Sequence, residues 1–259
     1  AHTLGFFKQN LVMQYSHERA VADKVNVDHE VYRIRTRITE SGSTIEASPQ
    51  PILGVRDRRT HRVRWQAPDE DITYAAGDLD RRVVAPDQIR EIVRAFRDRA
   101  LPELFPDRLE VPKTLVFAKD DLHADDIVRI VREEFAKGND FCQKITYKTT
   151  GKKPADLIQE FRTGFPMRIA VTVDMIATGT DIRPVEIVMF LRAVHSRVLF
   201  EQMLGRGVRV IDPTELRSVS PSAQAKTHFV VIDCVGVTES ELVDTRPLEQ
   251  QRGVSLKQL

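Results

Sequence analysis

The sequence predicts an α/β protein built on a parallel β-sheet with helices on both faces. Two observations lead there. Short strand-like runs recur from Val111 onward, in "TLVFAK", "KITYKT", "RIAVTVD", "EIVMFLR" and "HFVVIDC". Between them lie segments of helical spacing, "DDLHADDIVRIVREEFAKG", "KPADLIQEFRTG" and "SRVLFEQML". A chain that alternates strand and helix returns each strand in the same direction, so both sheet faces become covered.

The elements follow in order. Up to about Val25 the chain reads as helical, with Phe6, Phe7, Val12, Met13 and Val21 as possible core contacts. "VDHEVYRIRTRI" is rich in β-branched residues and reads as a strand, as does "HRVRWQ", with turn signals in "ESGST" and "ASPQP" between them. Together they predict a small arginine-rich β-hairpin. Ile89, Ile92, Val93, Phe96 and Ala100 then follow helical spacing, from Pro86 and Asp87 to before Pro106. The acidic start of "DDLHADDIVRIVREEFAKG" and its Lys137-Gly138 end suit a helix dipole and a helix stop. A boundary falls near "FPDRLEVPK". It divides a flanking part, 1–109, of helices and hairpin from a regular α/β domain, 110–259.

Bulk composition bounds the class. With 259 residues, 41% hydrophobic and 30% charged, the chain suits a soluble globular protein and excludes a disordered one. No apolar run approaches the roughly 20 residues of a membrane helix. The start, "AHTLGFFKQNLVMQ", lacks the pattern of a secretory signal, and without an initiator Met the chain is expected to be a fragment. Cys142 and Cys234 lie in no Cys/His cluster with zinc spacing, so both are expected to be reduced thiols in a cytoplasmic protein. Net charge is +1 and so argues neither way on nucleic acid, although "RIRTR" and "RDRRTHRVR" are locally basic and "PDEDI" offsets them.

Three stretches carry candidate chemistry. In "FEQMLGRGVRV", Gln202, Gly205, Arg206 and Arg209 fall at i, i+3, i+4 and i+7, one face if the helix continues. Arginine presents a fixed fork suited to phosphate. The glycines either admit a close backbone or ligand or end the helix. The alternative is a helix end with salt-bridged arginines. In "VTVDMIATGTDI", a strand ends at Asp174, and Thr178, Gly179, Thr180 and Asp181 then supply hydroxyls, a glycine and a carboxylate beyond its carboxyl end, where such sheets bind ligands. A turn chosen for its own chemistry explains the same residues. "TLVFAKDD" adds Lys119 after a buried strand, with Phe117 read as core.

Taken together, "TLVFAK", "VTVDMIATGTDI" and "FEQMLGRGVRV" resemble motifs IV, V and VI of superfamily 2 helicases and translocases, the last in the form Q-x-x-G-R-x-x-R. More narrowly, "VYRIRTRITESGSTIEA", "VRDRRTHRVRW" and "PKTLVFAKDDLHADDIVRIVREEF" look like the motor subunit of type I restriction endonucleases, over roughly Val25 to Cys234. The resemblance implies that 110–259 is a second RecA-like domain. Arg206 and Arg209 would then face ATP phosphates, one or both as an arginine finger, with Gln202 aligning water or phosphate. Gly179, Asp181 and Gly205 would line the nucleotide cleft, and Thr172, Thr178, Thr180 and Lys119 would touch DNA phosphates. Implied partners are double-stranded DNA, the first RecA-like lobe, and the modification methyltransferase and specificity subunits. Two alternatives stay open: the same lobe of a repair or remodelling helicase, and a nucleic-acid-binding module without ATPase activity.

A motor of this class also needs a phosphate loop, G-x-x-x-x-G-K-[ST]. "TTGKKPAD" has Lys153 where Ser or Thr is required, and reads as a basic loop before a helix. "DEDI", at Asp69 to Ile72, lacks the apolar strand that precedes a magnesium box. ATP and Mg2+ are therefore expected to be held mainly by a lobe outside this sequence, and the chain alone is expected to be inactive. Asp107, Glu110 and Lys113 lie too close together to place nuclease acids on two adjacent strands.

Overall fold

A computed structural model describes residues 15–35, 43–45, 53–56, 63–66, 72–74, 86–149, 151–173, 181–239 and 242. The described elements are α1 (His17–Ala22), β1 (Asp28–Arg33), β2 (Ser43–Ile45), β3 (Leu53–Arg56), β4 (Val63–Gln66), β5 (Ile72–Tyr74) and α2 (Pro86–Ala95). A π-helical turn (Phe96–Ala100) leads into α3 (Leu101–Leu104), then β6 (Thr114–Phe117), α4 (Asp121–Phe135), β7 (Cys142–Lys144), α5 (Pro154–Thr163) and β8 (Ile169–Thr172). The chain continues through β9 (Ile187–Phe190), α6 (Arg197–Leu204), α7 (Pro213–Val219) and β10 (His228–Asp233).

Six strands form one all-parallel sheet in the order β1-β10-β9-β6-β8-β7. Strands β6, β8 and β9 are buried along their whole length, as their unbroken apolar runs require. Alternate residues serve opposite faces. Val116, Val171, Met189 and Ile232 point to a core shared with Ile89, Ile92 and Phe96 of the α2 region and Ile127 and Ile130 of α4. Leu115, Phe117, Ala170, Phe190 and Val231 point to a second core with Leu157 and Phe161 of α5 and Met203 of α6. Each fully buried aliphatic or aromatic side chain contributes about 1.5–3 kcal/mol. Both faces are therefore covered, as expected.

Local signals set the helix ends. Asp120 caps α4 by accepting from the backbone N–H of Leu122 at 3.0 Å and of His123 at 2.9 Å. The helix stops at Ala136, in the left-handed region at φ 49°, one residue before the expected Lys137-Gly138 end. The α2 helix widens into its π-turn just ahead of Pro102, whose ring would meet a carbonyl one turn back and which has no N–H to donate. Arg94, Arg90 and Arg97 all reach the Glu134 carboxyl, which is held down to about 2 and ties α2 to α4. Short α7 was not expected; Pro213 opens it and Asp212 caps it through Thr214 and Glu215.

Two expectations change. Strand β1 is not half of a hairpin. It pairs in parallel with β10, Asp28 opposite His228 through Arg33 opposite Asp233. As an edge strand it keeps polar residues toward solvent, which gave it the look of a hairpin strand. Two antiparallel pairs are described in this region: β2 with β5, Ser43 opposite Tyr74, and β3 with β4, Arg56 opposite Val63 and Val55 opposite Arg64, so "HRVRWQ" finds its partner in "LGVR". Strand β7 begins at Cys142, two residues ahead of "KITYKT", because Thr146 turns away to donate its hydroxyl to Asp121 at 2.6 Å. Residues 1–14 lie outside the described residues, so the helix read before Val25 is described only at α1. Both cysteines are free and buried, and no helix among the described residues is long and apolar enough to cross a membrane.

At the amino ends of the strands the core turns polar. Lys113, ahead of β6, is fully buried over the Phe161 ring at 5.2 Å and donates to the carbonyls of Gly164 and Met167. Arg168, ahead of β8, donates to the carbonyls of Val111 at 2.6 Å and Val219 at 2.5 Å, and to Ser220 Oγ at 2.7 Å. Glu186, ahead of β9, meets Arg108. Lys113 and Glu110 therefore do structural work, consistent with setting the nuclease reading aside; Glu110 accepts from Ser222 Oγ at 2.6 Å.

Burial, followed by the charge of Arg168, pushes the Lys113 ammonium down to about 7. The unfolded chain then binds the extra proton between about pH 7 and the ordinary lysine value, so stability must rise with pH across that window. Relative to Lys113→Met, the urea midpoint of the wild-type chain is expected to climb from pH 7 to pH 10. A flat difference would show the ammonium is not desolvated.

Candidate functional site

The candidate site is built on the end of α6. Ser196 Oγ opens the helix by accepting from Leu199 N–H at 3.4 Å. The helix stops at Leu204, where Gly205 N–H donates to Glu201 at 2.8 Å. Two tighter bonds follow, Arg206 N–H to Met203 at 3.1 Å and Gly207 N–H to Leu204 at 2.9 Å. The expected single helical face of Gln202, Gly205, Arg206 and Arg209 is therefore not formed: exposed Gln202 sits on the helix, and both arginines lie beyond it. The cause is Gly207. A Cβ there would come within 2.2 Å of the buried Phe229 ring, so the chain turns where only glycine fits. It then runs extended beside the start of β1. Val27 N–H donates to Val208 at 2.8 Å, and Arg209 bridges Asn26.

This path brings Arg209 to Asp181, Nε to Oδ1 at 3.2 Å. Asp181 also receives Arg183 Nε at 3.2 Å, and Arg183 lies 3.8 Å from Glu215. Lys226 fixes the two arginine segments together, its Nζ donating to the carbonyls of Arg183 at 3.0 Å and Arg209 at 2.8 Å. Burial pushes that ammonium down to about 7, against the opposing charges of Glu186 and Asp181. The cluster thus gathers where β9, β10 and β1 begin. The expectation that Asp181 lies beyond a carboxyl end is corrected: nine residues after β8 the chain has already come back toward the start of β9.

Arg206 is half-buried in this cluster. Burial first, then the like charge of Arg209, lower its guanidinium from the ordinary value, while Asp181 acts the other way. Two guanidinium groups that repel each other, one of them partly desolvated, make a place that favours an added anion.

The remaining predicted residues divide. Thr172 is fully buried and donates its hydroxyl to the Ile145 carbonyl at 2.9 Å, so the expected DNA contact is corrected to a structural bond joining β8 to the chain after β7. Phe117 is buried and stacks on Phe190 at 5.6 Å, as read. Lys119 is half-buried at the carboxyl end of β6, and its backbone N–H donates to His123 Nδ1 at 3.2 Å. That is the opposite end of the sheet from the arginines. Thr178, Gly179 and Thr180 lie outside the described residues. The basic loop is as read, Lys153 opening α5 directly before Pro154. Arg183 and Lys226 were missed. Arg183 stands two residues after Asp181, a readable signal; Lys226 reaches the site through backbone carbonyls and leaves none.

Replacing Gly207 by Ala forces a Cβ into Phe229 and is expected to cost about 1–3 kcal/mol by chemical denaturation. Gly138→Ala, with nothing within 4 Å of the new Cβ, serves as the control and should stay within about 0.5 kcal/mol of wild type. Equal stabilities for the two variants would remove Gly207 as the reason for the turn.

Comparison with known proteins places this architecture. Residues 97–211 match the family described as the helicase conserved C-terminal domain. The chain is 30% identical, over 100% of its length and 21% of the relative's, to the type I restriction enzyme EcoKI endonuclease subunit of Escherichia coli strain K12. It is 28% identical, over 66% of its length and 20% of the relative's, to the EcoAI endonuclease subunit of Escherichia coli. The chain thus spans about a fifth of each relative's length. A solved fragment described as an HsdR subunit of a type I restriction enzyme from Vibrio vulnificus YJ016 shares the fold, at TM-score 0.58 and 20% identity over 91% of this chain and 37% of that one. Fold and similarity together give a RecA-like fold that carries a helicase conserved C-terminal domain over residues 97–211, in a chain similar to type I restriction endonuclease subunits.

Proposed function

We propose that the chain is the second lobe of an ATP-dependent DNA translocase and that Arg206 and Arg209 complete an ATP site whose phosphate loop and Mg2+ ligands lie on the first lobe. The observation that carries this reading is half-buried Arg206, which feels the like charge of Arg209 while Arg209 itself is ion-paired to Asp181. An incoming triphosphate would relieve the repulsion between the two guanidinium groups. As charge builds on the transferred phosphoryl oxygens, a preset pair of forks stabilises it without reorganisation. Gln202, exposed on the last turn of α6, would orient water or phosphate, and Gly205 lets the helix end there. Gly179 and Asp181 would line the cleft, and Asp181 would hold Arg209 until nucleotide binds. Thr178, Thr180 and Lys119 would meet DNA phosphates, contacts that hold the duplex without reading sequence.

Segment 1–109 would join this lobe to the first one; its β1 and α2 already pack into the lobe's own sheet and core. Similarity to type I endonuclease subunits supports a restriction complex with methyltransferase and specificity subunits as the setting, in the cytoplasm.

In the intact protein, Arg206→Ala and Arg209→Ala should each lower DNA-stimulated ATP turnover, by about 10³-fold for the residue acting as finger, with duplex binding retained. An unchanged rate in both variants would refute the role given to the pair. The chain alone should hydrolyse ATP negligibly, and robust hydrolysis by purified chain would contradict a shared site.

A further inference from the structure

Away from the arginine cluster, three potential metal ligands converge where α1 meets β1. His17 is the first residue of α1, and Asp28 and His29 are the first two of β1. His17 Nε2 lies 3.8 Å from Asp28 Oδ1, and His29 Nδ1 lies 3.6 Å from the same oxygen. One ligand atom from each residue falls within 4.8 Å of the other two.

Two further observations separate this from a surface ion pair. His17 Nε2 is itself buried and has no hydrogen-bond partner, although its ring is partly exposed. The His29 ring is fixed in place, 5.4 Å from Phe229 and tilted 31°. Asp28 Oδ1 is oriented by the His29 backbone N–H at 2.8 Å. The turn that closes the set is short, and Lys24 takes the left-handed region at φ 58° to make it.

We propose that His17, Asp28 and His29 bind one divalent transition-metal ion of the Zn2+ or Co2+ class. Two neutral imidazoles and a carboxylate suit such ions better than Mg2+ or Ca2+, which prefer all-oxygen shells. Bonds of about 2.0–2.2 Å separate tetrahedral ligand atoms by about 3.3–3.6 Å, so the present spacings need only small side-chain shifts. Asp28 faces solvent, which leaves water for the fourth position. Bound metal would cross-link α1 to the edge strand β1.

The test is titration of Co2+ into the chelator-treated full chain, followed by visible d–d absorption. One equivalent should produce four-coordinate absorption, and Zn2+ should abolish it. H17A and H29A should each weaken binding by at least about tenfold. H195A, which alters an exposed histidine outside the set, should bind as wild type. D28N keeps the side chain's shape and should also weaken binding, which settles the matter if an alanine variant fails to fold. Absence of a one-equivalent signal overturns the proposal. So does a signal that survives in D28N and in the folded histidine variants, or one lost in H195A.

Discussion

The site depends on one steric fact: Gly207 lies against the face of Phe229. Phe229 belongs to β10, which pairs with both β1 and β9, and its ring is completely buried. With that ring immovable, the chain leaving α6 has one way past it, close enough to exclude a Cβ. Passing there carries it to the start of β1, where Asn26 and Val27 meet Arg209 and Val208. The arginines are thus placed by a contact between two residues that carry no charge.

Placement alone would leave two irregular segments loose at the sheet's end. Buried cations tie them down through backbone carbonyls. Lys226 joins the segments of Arg183 and Arg209, while Arg168 joins those of Val111 and Val219. Carbonyl groups in irregular chain have no ladder to join and need donors once buried. A buried ammonium supplies several, at the expense of its own hydration. This explains why Lys113 and Lys226 both sit low on the pH scale and why Glu186, also buried, has its carboxyl raised by desolvation against the pull of Arg108.

Much of this fold was legible because its strands are buried on both faces. Runs such as "TLVF" and "IVMF" have no solvent side to confuse the period, and α4 announced itself through its Asp120 cap and apolar stripe. Strand β1 was legible as a strand and not by its partner, since an exposed edge carries the same polar alternation as a hairpin. The arginine face failed for a different reason. Helical spacing is a local property, whereas the break after Leu204 is dictated by Phe229, a residue outside the motif. Thr172 reads as part of a strand, its contact with DNA coming from the resemblance alone, and its hydroxyl is instead buried against the Ile145 carbonyl. Lys226 acts through its neighbours' backbones, which no residue pattern encodes.

Under the proposed function, the cluster is a set of charges that a nucleotide would rearrange. Asp181 balances Arg209 and Arg183 at ion-pair distance, while at Arg206 the charge of Arg209 opposes the ionised form and that of Asp181 favours it. Exposed pairs of this kind are worth about 0–1 kcal/mol, so a triphosphate bound as proposed would have little to break. The most direct measurement is a structure of the intact subunit with a non-hydrolysable ATP analogue and duplex DNA. The account predicts both guanidinium groups within hydrogen-bond reach of the terminal phosphates, with Arg209 released from Asp181. Finding the two arginines still paired as here, with the phosphates contacted by the first lobe alone, would contradict it.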